Sequence, residues 1–371
     1  MIRIKEVNSE SDLKSFILLP YKLYKNDKNW IPPIKKSEFD FWKNHPGLQK
    51  NTVKLFIAKK NFKTVGRIAF IVNHKYNEIN GLKTARFFAF ESIDDDKVVD
   101  KLFQRVEQEA KKMGLNRIHG PLGFTNLDHQ GLQVEGFQWP QTMVSVYNFP
   151  YYQKHLERLG YEKEIDWVEN RIRLTENALK RGEAGRKIIE KRFSITAWQP
   201  KSKKEFAGIA RDIFRLYNEA YQRLPYMVPL DEEDIEFYKK SYMPVLLPKW
   251  AFFAREKKNK DLVGFLLAIP SLGDAMRKAK GKLFPFGFYY IWKALRKPKE
   301  IDIAIIGAKP EYDNKGVAVV VFDAFHKQML KHKVDTFETG GVFETNLPVL
   351  TNWKNYDAVQ HKRKRVYGKD I

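Results

Sequence analysis

The sequence predicts an α/β protein with a mixed sheet, laid out as one plan used twice. Three observations carry this expectation. Apolar runs of strand length alternate with segments of helical period along the whole chain; the same order returns after residue 193; and 371 residues with 43% hydrophobic content suffice for two domains, each with its own core.

Residues 1–8 alternate like a strand, and 10–30 ("ESDLKSFILLPYKLYKNDKNW") have helical spacing that Pro20 is expected to break. "VKLFIAKKNFKTVGRIAFIVN" gives two apolar strands around a polar turn. The strand "TARFFAFESID" leads to a helix over 97–113, in which Val98, Leu102, Val106 and Ala110 share a face and Gly114 ends the run. A long loop holds "TNLDHQGLQVEGFQWP", followed by the helix "PYYQKHLERLG" and the alternating strand "WVENRIRL". The polar, basic stretch from Thr175 to Arg192 reads as a linking helix, so the two domains are set at 1–175 and 193–371. Beyond it come a strand at 193–198, helices at 204–222 and 231–242, and the paired strands of "WAFFAREKKNKDLVGFLLAIP". The strand "IDIAIIGA", a helix at 317–332, the strand "TFETGGVF", the helix "NLPVLTNWKNY" and the strand "KRKRVYG" complete the second domain.

The balance of 67 Lys plus Arg against 45 Asp plus Glu, a net +22, favours polyanions: nucleic acid, anionic lipid headgroups or phosphate-bearing cofactors. The absence of cysteine excludes a disulfide framework, a thiolate zinc site and a cysteine nucleophile. There is neither a zinc-like spacing of ligands nor a Gly-x-Ser-x-Gly elbow, so no metal is expected. The N-terminal "MIRIKEVNSESDLKSF" lacks an apolar core, and no run reaches the roughly 18 apolar residues of a membrane span. A cytoplasmic protein is expected, with the inner membrane face as a peripheral station.

The stretch "IIGAKPEYDNKGVAVVVFDAF", 305–325, passes from an apolar strand to a helix through a short polar turn. Unpaired amides at a helix N-terminus bind phosphate, and close approach needs small residues, which Gly316 and Ala318 supply. Asp313-Asn314-Lys315-Gly316-Val317-Ala318 resembles the pyrophosphate loop of the GNAT acyltransferase superfamily, [Gln/Arg]-x-x-Gly-x-[Gly/Ala]. Asp313 stands where the family has Gln or Arg, and Lys315 restores one positive charge. "IIGAKPEY" resembles the strand entering that loop, and Asn346 the Asn that opens the superfamily's next helix. Taken alone, the turn also reads as a plain corner capped by Asp or Asn.

The first half resembles the same fold through Asn148, Tyr152, Leu159, Gly160 and Tyr161. Its own turn, "ESIDDDKVVD", sets Asp94, Asp95 and Asp96 where they would cap a helix and repel a pyrophosphate. It is therefore expected to be a degenerate or acceptor-side half, as in tandem GNAT proteins, a group with protein N-myristoyltransferases and Fem-type aminoacyl transferases. The blocks "GRIAFIVNHKYNE", "FFAFESIDD", "GLQVEGF", "LFPFG" and "PEYDNKGV" extend the resemblance, to a family of bacterial GNAT-like acyltransferases, over nearly the whole chain. Some bacterial ceramide synthases, which acylate a long-chain base from an acyl thioester, belong to the GNAT group, and by analogy the acceptor is a small-molecule or lipid-like amine.

The resemblance implies N-acylation with a CoA thioester, acetyl-CoA or a longer acyl-CoA, as co-substrate. Such transfer needs a base for the ammonium, an oxyanion contact and a proton for the leaving thiolate. The family places the oxyanion contact on the backbone near Ile306 and Gly307; with Asn314, Lys315, Gly316, Val317, Ala318 and Asn346 these are the expected CoA-binding residues. For the base, Glu91 ends an apolar strand where partial burial would raise its pKa. Asp128, beside His129 in the loop that also holds Glu135, offers a carboxylate–imidazole pair. Glu344 and Tyr356 flank the last helix, Tyr356 as an acid to the thiolate. Each also has a structural reading, as a cap, a surface carboxylate or core packing.

Residues 271–300 carry eight Lys or Arg against Asp274 and Glu300, around the centre "LFPFGFYYIW". That centre is too short to span a bilayer but rich in interface aromatics, with cations able to meet anionic headgroups. It reads as a peripheral membrane contact or a lid over an acyl pocket, or else as a buried crossover with solvated lysines. The same mixture suits RNA, the weaker partner. "HKRKRVYGK" adds charge near the C-terminus, which suits an edge strand guarded against aggregation. A Fem-type tRNA-dependent aminoacyl transferase is the alternative enzyme, and a catalytically inactive GNAT-fold lipid- or protein-binding module the alternative class.

Overall fold

The computed structural model describes the backbone of residues 1–371 and every side chain except those of Pro348 and Asn352. In the first half, β1 (Ile2–Glu6), α1 (Glu10–Leu23), α2 (Lys35–Asn44) and α3 (Gly47–Lys50) precede the hairpin of β2 (Thr52–Lys60) and β3 (Lys63–Val72). Then follow α4 (His74–Asn80), β4 (Thr84–Ser92), α5 (Asp96–Lys112), β5 (Arg117–Gly120), β6 (Leu132–Glu135), α6 (Tyr151–Arg158) and β7 (Glu162–Arg173). The linking helix is α7 (Glu176–Phe193). The second half runs through β8 (Ile195–Trp198), α8 (Lys203–Gly208), α9 (Ala210–Tyr221), α10 (Glu232–Tyr242), β9 (Ala251–Glu256), β10 (Leu262–Pro270), α11 (Gly273–Ala279) and α12 (Gly287–Arg296). It ends with β11 (Ile301–Ala308), α13 (Val317–Lys331), β12 (Thr336–Thr339), β13 (Val342–Phe343), α14 (Leu347–Thr351) and β14 (Asp357–Asp370).

One continuous mixed sheet has the order β1-β2-β3-β4-β5-β14-β7-β12-β11-β10-β9-β8. At its centre the halves exchange strands. The last strand, β14, lies between β5 and β7 of the first half, and β7 in turn pairs with β12 of the second. Each half is a three-layer sandwich. In the first, Val98, Leu102, Phe103 and Val106 of α5 pack on Phe56, Ile68, Ala85 and Ile118, while Phe16, Ile17 and Trp42 cover the other face. In the second, Val317, Val320, Phe325 and Met329 of α13 cover one face, and Phe206, Ile213, Leu216 and Tyr238 cover the other.

Several sequence expectations are revised. α1 runs through Pro20 instead of breaking there. Proline removes the bond that would end on the carbonyl four residues back, and that carbonyl, of Phe16, accepts from Arg67 Nη1 at 3.0 Å instead. The expected helix at 204–222 is two helices separated at Ile209. The expected strand "TFETGGVF" breaks at its glycine pair: its first piece lies between β11 and β7, and its second keeps β7 alone. The cation-rich C-terminal stretch is not an edge strand: β14 is central, its charges matched by carboxylates from distant elements, Arg365 with Asp166 at 2.8 Å, Arg363 with Glu344 at 2.9 Å and Lys369 with Glu107 at 2.8 Å.

Candidate active site

In the second half, β11 and β12 run parallel only from Ile301 to Ile303, and the Gly340 N–H donates to the Ile303 carbonyl at 3.1 Å. Past that point the chain after β12 stays with β7 and leaves β11, while residues 305–308 of β11 keep β10 on one side and have a free edge on the other. The Tyr221 hydroxyl, from α9, donates to the Ile306 carbonyl at 2.9 Å. A strand residue sends its N–H and C=O toward the same edge, so the Ile306 N–H faces the opening too. An expected oxyanion donor therefore stands beside a tyrosine that the sequence reading missed.

The turn after β11 is built locally. Pro310–Tyr312 forms a single 3-10 turn, Tyr312 hydrogen-bonds Glu256, and the Lys315 ammonium lies 4.7 Å over the Tyr312 ring. Asn314 and Gly316 both have positive φ, +61° and +74°, the left-handed conformation that glycine adopts without cost. Gly316 is the N-cap of the 15-residue α13, and no side chain caps that helix. Val317 is buried and Ala318 exposed. A second constraint also acts on Gly316, since a Cβ there would stand 2.4 Å from Ile189 Cδ1 of α7. Asn346 opens α14, its carbonyl accepting from the Val349 and Leu350 amides at 3.1 and 3.2 Å.

The matching unit of the first half splays in the same way, but its helix is capped by acids. β4 and β5 pair in parallel from Thr84 to Arg86, and a last backbone bond runs from the Leu122 amide to the Phe87 carbonyl at 3.0 Å. At the N-terminus of α5 the Asp95 carboxylate accepts from the Lys97 amide and pairs with Lys60 at 2.8 Å. The Lys60 hydrogen bond is the main reason its pKa lies below the usual carboxylate value. Asp94 and Asp96 meet His155 at 2.9 and 3.1 Å. The chain supplies its own anions where a phosphate would have to sit.

Glu91 stands at the end of β4. Burial raises its pKa, opposed by Arg67 and by two tyrosines: Tyr24 donates to its Oε2 at 2.6 Å and Tyr152 at 2.7 Å. Trp30 stacks on Tyr24 with ring centroids 5.2 Å apart. The result is a half-buried carboxylate in an aromatic cage.

The other candidates lie elsewhere. Asp128 accepts from the Phe124 and Thr125 amides and from Tyr238 at 2.8 Å, and its imidazole neighbour is His45 at 3.7 Å, not the exposed His129. Glu135 pairs with Arg363 at 3.0 Å. Glu344 pairs with Lys163 at 2.5 Å and Arg363 at 2.9 Å. Tyr356 sits 3.5 Å from His326 Nε2 in the core beneath α13; burial pushes its phenol up to about 12 and the imidazole down to about 4. Among the described residues no hydrogen bond or ion pair joins any two of Glu91, Asp128, Glu344 and Tyr356.

A cluster not singled out in the sequence lies where β7, β11, β12 and β14 meet. Glu338 accepts from Arg171 at 2.9 Å and faces His361 at 3.0 Å. Burial works to raise its pKa, but His361, Lys362 and Arg171 outweigh this and hold it at about 2. Its register partner Asp302 is fully buried, and burial, reinforced by Glu338, outweighs the Ser271 hydroxyl, Lys362 and the Met143 backbone and lifts it to about 8. An aspartate inside an apolar strand was the available signal.

No protein-family model matches the chain. It is 29% identical over 375 residues to Protein YghO of Escherichia coli (strain K12), covering 98% of this chain and 94% of that one. It is 22% identical over 381 residues to the bacterial ceramide synthase of Caulobacter vibrioides (strain NA1000 / CB15N), covering 98% and 96%. Among solved structures, a tandem GNAT protein from the clavulanic acid biosynthesis pathway aligns over 100% of this chain and 98% of its own, with a TM-score of 0.57 at 11% identity. A GCN5-related N-acetyltransferase from Sphaerobacter thermophilus aligns over 100% and 95%, with a TM-score of 0.53 at 12% identity. The splayed strand pairs, the helix that follows each and these whole-length likenesses agree: the chain has the tandem GNAT fold.

Proposed function

We propose that the protein is an acyl-CoA-dependent N-acyltransferase that moves an acyl group from a CoA thioester to a lipid-like amine, with the protein peripheral at the inner face of a membrane. The observation that supports it most is the contrast between the two helix N-termini: α13 begins uncapped beside the splayed end of β11, whereas α5 is capped by Asp95. In this reading the first-turn amides of α13 and Lys315 hold the pyrophosphate, with the helix dipole favouring the anion. Asp313 and the contact of Ile189 on Gly316 limit the approach to the exposed side, where Ala318 lies. The Ile306 N–H meets the thioester oxygen as negative charge develops on it. Glu91 takes the ammonium proton on the acceptor side, its two tyrosine donors holding the carboxylate in place. The similarity to a protein named as a ceramide synthase supports an amine of lipid character.

The test is thermal stabilisation by CoA, acetyl-CoA and a long-chain acyl-CoA in wild type and in Ala318→Asp. An aspartate at the second position of α13 favours the helix dipole and leaves the fold intact, yet repels phosphate. Wild type is expected to be stabilised, and the variant to keep its melting temperature but lose about tenfold in affinity. No stabilisation of the wild type by any thioester would leave an inactive module as the reading; equal stabilisation of the variant would move the CoA site elsewhere.

A further inference from the structure

We infer that the hairpin of α11 and α12 seats on an anionic phospholipid surface, with Phe284, Phe286, Phe288, Tyr289 and Trp292 entering the headgroup layer. This deepens the lipid-like acceptor reading, but its argument and its test do not depend on acyl transfer. The hairpin has two distinct faces. Inward, Leu272, Met276, Ile291, Ala294 and Leu295 pack with Ile31, Ile34, Met143 and Val245, so the hairpin is fixed to the body of the protein. Outward, six large apolar side chains are exposed within ten residues, Leu283 to Trp292, among sixteen such side chains in all the described residues. Phe284 is 76% and Phe286 66% exposed. They pair along the hairpin: Phe284 lies 5.7 Å from Phe288, and the next residue, Tyr289, stacks with Trp292 at 6.1 Å. A contiguous apolar patch on a water-facing surface marks an interaction site.

The charges select the occupant. Lys278, Lys280, Lys282, Lys293, Arg296, Lys297 and Lys299 are all exposed around the patch. Arg277 is the cation of the hairpin that pairs with a carboxylate, Asp274 at 2.8 Å; among the described residues none of the other seven has one within 4.0 Å. By contrast, Lys362, Arg363, Arg365 and Lys369 of β14 each pair with a carboxylate, and Lys364 lies over the Trp167 ring. Protein interfaces are depleted in lysine, whereas aromatics ringed by unmatched cations suit the anionic bilayer interface. No helix is long and apolar enough to cross a membrane among the described residues, so the contact is shallow.

The position fits a lipid acceptor. The Lys35 amide donates to the Gly281 carbonyl of the hairpin at 3.0 Å, and Tyr21 reaches the Pro33 carbonyl at 2.8 Å. Tyr21 meets Trp30 edge-on, and Trp30 stacks on Tyr24, which holds Glu91. A headgroup amine at the seated hairpin would lie a few side chains from that carboxylate.

Co-sedimentation of the full chain with vesicles of phosphatidylcholine alone, and of equimolar phosphatidylcholine and phosphatidylglycerol, tests this. Wild type is expected to partition at least about tenfold more strongly onto the anionic vesicles, less so at high salt. Phe284→Ala, Phe288→Ala and Trp292→Ala together should lose that partition about tenfold while keeping the melting temperature and its response to CoA thioesters, because these side chains are exposed. A second variant, Lys280→Glu with Lys282→Glu, should weaken anionic binding alone. Equal partition onto both vesicles, or unchanged binding by the triple variant, overturns the inference. So does a homodimer in light scattering that the triple variant dissolves without any vesicle binding.

Discussion

The two strand–turn–helix units stand at equivalent places in the two halves and treat charge in opposite ways. In the first, Asp95 caps α5, its neighbours are tied to His155, and Glu91 sits in an aromatic cage at the strand end. In the second, Gly316 leaves α13 uncapped and β11 offers a free edge at Ile306. One half is furnished with carboxylates; the other exposes amides. In the proposed function the first takes the cationic amine and the second the anionic co-substrate, so that a few residues at one turn would divide a two-substrate reaction between the copies of a duplicated fold.

The largest way to break this division is Glu91→Gln, which keeps a hydrogen-bond acceptor for Tyr24 and Tyr152 but removes the base. Roughly a 10²–10⁴-fold loss in kcat/KM is expected. Because Glu91 has a raised pKa, the wild-type rate should climb with pH as the carboxylate ionises, and that limb should vanish in the variant. A variant with the same profile would assign the base elsewhere. Next in size is Asp302→Asn. Its native pKa of about 8 exceeds the ordinary carboxyl value of 3.8, so its contribution to stability is full below the lower figure and is lost as pH rises toward the upper one. The variant should be more stable at pH 8 by an amount of the order of a few kcal/mol, and the gain should shrink to nothing near pH 4 in denaturant titrations. Arg86, a buried cation of the first half, should give no such gain when made neutral, because the Gly123 carbonyl accepts from it at 2.8 Å. Ala318→Asp follows, at about tenfold in CoA affinity. Smallest is Asp95→Ala, which should cost about 1 kcal/mol through lost capping and leave CoA binding unchanged; new CoA binding at α5 would show that the acidic turn alone had excluded it.

Local features were legible in the sequence and long-range ones were not. Val98, Leu102 and Val106 announce α5 within a few turns of chain, and Asp313 to Ala318 form a turn whose conformation is set by their own backbone. Pro20 misled because the group that relieves it, Arg67, lies 51 residues from the Phe16 carbonyl that it bonds. The β14 stretch misled because charge alone does not tell an exposed edge from a paired centre: Asp166, which neutralises Arg365, lies 199 residues away. The four expected catalytic residues shared chemistry but not a place, and Tyr221 and Asp302 carried no local mark beyond a tyrosine on a helix and an aspartate in an apolar run.

The strand exchange at the centre of the sheet also bears on how the chain is made. β14 fills the gap between β5 and β7, yet the ribosome delivers it some two hundred residues after them. During synthesis the first half must wait with two unpaired strand edges until residues 357–370 emerge, an interval in which a chaperone, a neighbouring nascent chain or a C-terminal fusion can compete for the vacant slot.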